Sequence, residues 1–359
     1  MAKYTNLYEY EAASKDVLSA MAHSYYAGVA RDGITLMANR SAWDQLWLYY
    51  RVLVDVSKRH TRTQILGQDM SVPMLVAPTA FHGLAHPEGE LATARGAALQ
   101  NCIYIASTLS NQSIESICAS SKGSVWFQLY VYKDRDITLN LIERAKRAGC
   151  KALVVTVDAA MIGTREQDQV LRFHLPEGLS MGNFTNSQQA RLDRNSDDSA
   201  LAQYVKNQLD PSLSWSDLSW LVKQSSLPVL VKGIVRADDA LLAMRSGAQG
   251  VIVSNHGGRQ LDTAPPTALV LPKIRQSLGD SAVVLVDGGI RRGTDIVKAI
   301  ALGADAVLLG RPILWGLAQD GHNGVAHILS LLHAELLEAM ALCGCDTIKS
   351  ITRDLVHQS

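Results

Sequence analysis

The feature that most constrains this chain is a repeat of eight short apolar runs, each ending on polar residues. The runs are Pro73–Pro78, Ile103–Ala106, Val125–Leu129, Ala152–Val157, Val229–Val231, Gly250–Val253, Val283–Val286 and Ala306–Leu309. Runs this uniformly apolar read as strands buried on both faces, which is the signature of a parallel sheet. Most lie about 20–30 residues apart with amphipathic helical stretches between them, the strand–helix alternation of βαβ units. Eight such units predict an α/β fold, a closed TIM (β/α)8 barrel. The competing open, doubly wound sheet would carry fewer strands and a Gly-x-Gly-x-x-Gly turn after the first, which is absent.

In such a barrel the C-terminal strand ends converge on one mouth. The residues placed there are Pro78, Thr79 and Ala80, Ser107, Gln128 and Tyr130, Thr156 and Asp158, Lys232, Ser254 and His256, then Asp287, Gly288, Gly289 and Arg291, and finally Gly310 and Arg311. Packing alone does not explain polar residues at the end of nearly every apolar strand. The sixth run delivers His256, which titrates near neutral pH, and three residues later Arg259, a fixed bidentate cation. A base beside a cation suits proton abstraction from a small organic acid. Asp158 could orient His256 and raise its basicity, and Arg165 could join Arg259 as a two-arginine clamp on a carboxylate. Lys232 could form a Schiff base or place positive charge beside a developing anion. The loops after the seventh and eighth strands carry glycines and arginines, the usual phosphate-binding equipment of these barrels. A phosphorylated ligand or cofactor is therefore expected.

The chain reads as one domain over 1–359. Residues 1–70 form a mainly helical N-terminal part, with helical spacing over Tyr10–Met21 and again over Ile34–Asn39. Tyr25 and Tyr26 precede Gly28, and one of them could turn a hydroxyl into a pocket. Residues 71–359 form the barrel. After the fourth strand the rhythm breaks, and polar residues 163–216 read as a mobile flap at the active mouth, closed by a helix over Leu213–Gln224. Within it Gly178-Leu-Ser-Met-Gly182 matches the hydrolase nucleophile elbow, but it lacks the strand before and the helix after that the motif needs.

Composition narrows the partners. Lys+Arg 34 balance Asp+Glu 34, so no basic surface points to nucleic acid and no charge block to an anionic membrane. No apolar run is expected to span a bilayer. Five scattered cysteines suggest reduced thiols in an intracellular compartment, with no metal site. The start lacks the apolar core of a secretory signal, which predicts a cytoplasmic protein. A peroxisomal location is the alternative, although His357-Gln-Ser359 is not the Ser-Lys-Leu address.

At this point the residues resemble a known family, the FMN-dependent L-2-hydroxy-acid oxidases, which include glycolate oxidase, long-chain hydroxy-acid oxidases and L-lactate oxidase. The similarity runs nearly end to end. Its most specific motif is Ser254-Asn-His-Gly-Gly-Arg-Gln-Leu-Asp262, supported by Ala77-Pro-Thr-Ala80, Phe127-Gln-Leu-Tyr-Val-Tyr132, Leu230-Val-Lys-Gly233 and Asp287-Gly-Gly-Ile-Arg-Arg-Gly293. The resemblance implies FMN as cofactor, a small 2-hydroxy acid and O2 as substrates, H2O2 as a product, and a homotetramer. It implies His256 as the base with Asp158 behind it, Arg165 and Arg259 on the substrate carboxylate, and Tyr25 and Tyr130 as hydroxyl donors. Lys232 would sit near the flavin N1–C2=O edge. Pro78, Thr79, Ala80, Ser107, Gln128, Thr156 and Ser254 would line the flavin. Asp287, Gly288, Gly289, Arg291, Gly310 and Arg311 would hold its ribityl chain and phosphate.

The departures are informative. Glycolate oxidases resembling this chain carry tryptophan where Leu109 stands. Leucine removes an indole donor and leaves apolar space, the pattern of L-lactate oxidases, so a substrate larger than glycolate, L-lactate first, is expected. Glycolate, a longer-chain acid, or a same-family dehydrogenase with a non-oxygen acceptor are the alternatives. Tyr49-Tyr50-Arg51 replaces the usual Arg-Pro-Arg, and Asp158-Ala-Ala-Met-Ile-Gly163 replaces a proline-containing turn.

Overall fold

A computed structural model of the chain describes residues 4–184, 192 and 199–358. Its centre is a closed barrel of eight parallel strands. These are β1 (Met74–Val76), β2 (Ile103–Ala106), β3 (Val125–Leu129), β4 (Leu153–Thr156), β5 (Val229–Ile234), β6 (Gly250–Val253), β7 (Val283–Val286) and β8 (Ala306–Leu309). They pair in sequence order, and β8 returns to β1 through Val307–Met74 and Leu309–Val76. All eight expected strands are present, with bounds shifted by at most a few residues.

The pleat divides the strand residues between two cores. Leu75, Ile105, Trp126, Val154, Leu230, Ile252, Leu285 and Leu308 fill the lumen. Alternate residues such as Val76, Phe127, Val155, Val253 and Val286 face the helices. Ile65 and Met70 join the lumen cluster from below. They belong to an antiparallel hairpin, Thr63–Ile65 with Gln68–Met70, whose Gln68 Oε1 accepts from Trp126 Nε1 at 3.2 Å.

This hairpin corrects the expected helical character of residues 1–70. Helices occupy only α1 (Leu7–Val17), α2 (Ala20–Ala27) and α3 (Ile34–Asp44). The remainder of the described residues is loop and short strand, with Leu46–Leu48 pairing to Val356–Gln358. The single helix expected over Tyr10–Met21 is also two helices. Leu18 is extended, and the Ser19 side chain accepts from Ala22 N, so a new helix starts within the apolar pattern. A helix over Gly89–Leu99 follows the turn after β1. The stretch closing residues 163–216 is helical over Trp215–Gln224, started by a Ser214–Asp217 capping box. Residues 185–191 and 193–198 of the expected flap lie outside the described residues.

The Arg311–Cys343 helix is long and apolar enough to cross a membrane by length and composition. It is broken at Asp320 (φ −156°) and Gly321 (φ 50°), and its residues Leu317, Val325, Leu329, Leu332 and Leu336 are buried in the protein. Its apolar character is accounted for by packing against Gly89–Leu99, α1 and Gly293–Ala301.

The N-terminal helices dock over the barrel mouth through the loop after β6. Ala30 N donates to Gly258 O at 2.9 Å, and Asp262 accepts from Thr35 N at 2.9 Å. Asn39 and Asn255 exchange two side-chain bonds of 2.8 Å each. Gly258 (φ 75°) allows this approach, since a Cβ there would stand 2.8 Å from Leu36 N. Gly149 has a similar left-handed backbone (φ 93°) but open space around it. Gly149→Ala should therefore cost about 1 kcal/mol of backbone strain alone. Gly258→Ala should cost about 2–4 kcal/mol, because strain and overlap add. Thermal unfolding of the two variants checks this, and equal losses would contradict the docking account.

Candidate active site

The loop after β6 sets the site. His256 takes a left-handed backbone (φ 58°), unusual for a residue with a side chain, and its N–H donates to Ser254 Oγ at 3.0 Å. This turn aims the imidazole across the mouth at Asp158, where Nδ1 lies 2.9 Å from Oδ1. Burial works against ionisation of Asp158, but the His256 partner and Lys232 outweigh it and hold the carboxyl below its usual range. An ionised carboxylate only accepts, so Nδ1 carries the hydrogen of this bond, and in the neutral ring the lone pair falls to Nε2. Gln260 braces the same corner, donating to Asp158 O at 2.8 Å and Met161 O at 2.9 Å and accepting from Gly163 N at 3.0 Å.

Two half-buried arginines meet at the C-terminal end of α2. Arg259 Nη1 donates to Tyr25 O at 2.7 Å and Gly28 O at 2.9 Å. Arg311 donates from Nε to Tyr26 O at 3.0 Å, from Nη2 to Gly28 O at 2.9 Å and from Nη1 to Gly257 O at 2.9 Å. The Tyr25, Tyr26 and Gly28 carbonyls end α2 and lack intrahelical donors, so cations satisfy them and meet the negative end of the helix dipole. Burial, reinforced by Arg165, pulls Arg259 down to about 10. Burial and the neighbouring Arg259 and Arg291 pull Arg311 to about 9. Both stay charged at neutral pH, and each keeps N–H groups for an anion.

Arg165 stands beside this pair at the head of the short helix Glu166–Val170. Its guanidinium lies 5.8 Å from the centre of the Tyr25 ring, and that of Arg259 lies 5.0 Å from it. Tyr25 is fixed by stacking on Phe173 at 4.3 Å. Burial keeps the Tyr25 and Tyr130 phenols protonated, above their ordinary value.

Deeper in, Lys232 Nζ donates to Ser254 Oγ at 2.8 Å and pairs with Asp287 Oδ2 at 3.1 Å. Asp287 Oδ1 is buried with no partner among the described residues, and a ligand hydroxyl is the donor it lacks. Gln128 accepts from Ser107 Oγ at 3.3 Å and donates to Thr156 Oγ1 at 3.0 Å. Arg291 lies over Trp315 at 4.8 Å and donates to Ile290 O at 2.9 Å. Gly289 is left-handed (φ 81°), and a Cβ on Gly310 would meet nothing nearer than Thr79 Cγ2 at 3.7 Å. Arg291 and Arg311, which have no carboxylate ion pair among the described residues, the open backbone at Gly310 and the orphaned Asp287 oxygen fit a ligand bearing a phosphate and hydroxyls.

One cavity joins these groups. Of the expected site residues, Tyr25, Pro78, Thr79, Ala80, Ser107, Leu109, Tyr130, Arg165, Lys232, His256, Arg259, Asp287, Gly288, Gly289, Arg291, Gly310 and Arg311 line it. Gln128, Thr156, Asp158 and Ser254 stand directly behind its wall, bonded to lining residues or to each other. Both Tyr25 and Tyr26 line the cavity, and sequence reasoning missed Asn39, Gln260, Leu201, Val205 and Leu209, which also line it. It also missed Asp168, whose Oδ2 lies 3.4 Å from Arg165 Nη1. The spacing Arg165–Asp168 on one helical turn was the available signal. Ser180 of the hydrolase-like motif lies in a loop with no strand before it, and its carbonyl accepts from Asn111 at 2.9 Å.

Comparison with known proteins agrees with this geometry. The profile of the family described as FMN-dependent dehydrogenase matches residues 14–358. An L-lactate oxidase from Nostoc sp. is 49% identical over 98% of this chain and 98% of its own length. The glycolate oxidase of Spinacia oleracea is 45% identical over 97% and 94%. Among solved structures, a mandelate oxidase with (S)-4-hydroxymandelic acid superposes with a TM-score of 0.94 at 41% identity, over 99% of this chain and 98% of that one. By profile, by full-length identity and by fold, the chain belongs to the FMN-dependent dehydrogenase family.

Proposed function

We propose that this enzyme oxidises an L-2-hydroxy acid to the 2-oxo acid, with O2 reduced to H2O2, and that L-lactate is its preferred substrate. The observation that carries this reading is the Asp158-bound His256 sharing one cavity with Arg165 and Arg259. FMN, when bound, accepts the two electrons that leave the acid. Arg291, Arg311 and the backbone at Gly289 and Gly310 would hold its phosphate, with Asp287 on its hydroxyls. Pro78, Thr79, Ala80, Ser107, Gln128, Thr156 and Ser254 would surround its ring.

The chain's own groups then have distinct tasks. Arg165 and Arg259 take the substrate carboxylate, supplying charge and fixed donor geometry. Tyr25 and Tyr130, kept protonated by burial, donate to its oxygens. His256 Nε2 takes a proton from the substrate, and the Asp158 carboxylate stabilises the resulting imidazolium. Lys232 offsets negative charge gained in the deep half of the cavity.

The substrate's side chain meets an apolar wall. Leu109 is 4% exposed, and Ala80, Ile162, Leu201, Val205 and Leu209 share the cavity lining. A methyl group buried there is worth roughly 1–2 kcal/mol in selectivity. Peroxide formation should therefore be faster with L-lactate than with glycolate, and Leu109→Trp should narrow or reverse that ratio by about tenfold. A panel including longer 2-hydroxy acids and L-mandelate, with an artificial electron acceptor in parallel, checks this. Preference for glycolate in the unaltered enzyme would overturn the substrate assignment, and turnover without peroxide would overturn oxygen as acceptor.

We also infer a homotetramer. Trp47, Tyr49, Tyr50, Val52 and Leu53 are all more than half exposed, and Leu53 is held outward on a left-handed backbone (φ 58°). A contiguous apolar patch of this kind is usually covered in an assembly. Light scattering should give the mass of four chains, reduced by Leu53→Asp. A single-chain mass for the unaltered protein would contradict it.

A further inference from the structure

The turn after β1 holds a buried group that the reaction above does not use. Phe81 is left-handed (φ 62°) and fully buried, a strained setting for an aromatic residue. Its carbonyl accepts from Tyr26 Oη at 2.6 Å, which holds the turn shut. The turn places His82, 0% exposed, beneath the cavity wall. The His82 N–H donates to Glu90 Oε1 at 3.0 Å. Its ring is clamped between two hydroxyls, Nδ1 at 2.8 Å from Thr93 Oγ1 and Nε2 at 2.5 Å from Thr79 Oγ1. Burial drives its titration down to about 3, against the opposing contact with Thr79, so the ring is neutral at working pH.

A neutral imidazole has one N–H and one lone pair. Both neighbours are hydroxyls, which can donate or accept, so two arrangements are possible. With hydrogen on Nε2, Thr93 donates to Nδ1, and the Thr79 oxygen accepts from the ring, leaving the Thr79 hydrogen to point elsewhere. With hydrogen on Nδ1, Thr93 accepts and can turn its own hydrogen to Gly89 O at 3.4 Å, while Thr79 donates to Nε2. Thr79 lines the cavity. The first arrangement makes it a donor toward a bound group and the second an acceptor.

We propose that His82 is a positioning residue: the Thr93–His82–Thr79 chain reverses its hydrogen-bond polarity, so that Thr79 faces the FMN ring as a donor when the ring is oxidised and as an acceptor when it is reduced. The chemistry of the ring calls for this, since an oxidised flavin edge offers lone pairs and the reduced edge offers an N–H. The exchange breaks the Nε2–H bond and forms an Nδ1–H bond, and the two threonines and the neutral ring carry the same three exchangeable hydrogens before and after, so the net charge is unchanged. The inference rests on FMN occupying the cavity and not on which acid is oxidised.

The test uses FMN-loaded enzyme with ¹⁵N-labelled histidine, reduced by dithionite so that no substrate is involved. Solid-state NMR separates protonated from unprotonated ring nitrogens, and His82→Gln identifies the His82 signals by their loss. The expected result is a neutral His82 protonated on Nε2 in the oxidised enzyme and on Nδ1 in the reduced one. The same nitrogen protonated in both states would overturn the proposal. A second measurement is the FMN midpoint potential. His82→Phe should keep FMN bound but shift the potential, and His82→Gln, which can both donate and accept, should restore it. A potential unchanged in His82→Phe would overturn the proposal. Slow flavin reduction by L-lactate with a normal tautomer exchange would instead count against the substrate reading alone.

Discussion

Two half-buried guanidinium groups bonded to the last carbonyls of one helix hold the mouth of this barrel together. Arg259 comes from the loop after β6, Arg311 from the end of β8, and both close on Tyr25–Gly28. Burying cations with no carboxylate partner is expensive, and carbonyl dipoles offset only part of that cost. The rest of the compensation is left for anions arriving in the cavity. The arrangement therefore ties stability to ligand binding: the contact that docks the N-terminal helices also leaves two positive sites facing inward. One lies beside Arg165 and suits a carboxylate. The other lies beside Arg291 and the glycine backbone and suits a phosphate.

The barrel supplies the precision that this chemistry needs. Its strands are buried on both faces, so functional groups gather at the strand ends, where the backbone is fixed by parallel pairing on either side. His256 and Asp158 meet from β6 and β4, two strands separated by β5, and Lys232 from β5 sits between them with Ser254 and Asp287. The left-handed backbone at His256 is the local strain that turns its ring toward Asp158.

Much of this was legible in the sequence because strand-end residues are marked by abrupt changes from apolar to polar. Ser107, Asp158, Lys232, His256, Asp287 and Arg311 all follow such a change. Residues 45–70 were not legible. Their lumen contacts, through Ile65 and Met70, come from a hairpin whose partner is the whole barrel floor, and no local period records that. Asp168, Gln260 and Asn39 were missed for a related reason. Each acts through a partner that only the folded chain supplies: Arg165 one helical turn away, the Asp158 corner about a hundred residues earlier, and Asn255 more than two hundred residues later. His82 reads as an ordinary turn residue until its two threonine neighbours are in place.

The central claim is that His256, polarised by Asp158, takes the substrate proton before or as electrons leave. Anaerobic stopped-flow reduction of bound FMN by L-lactate, comparing the unaltered enzyme with His256→Gln, tests it most directly. The account predicts that His256→Gln retains FMN in full, since the residues proposed to hold its phosphate and ribityl chain are others, and that its flavin reduction slows by about 10²–10⁴-fold. Reduction near the unaltered rate would contradict it.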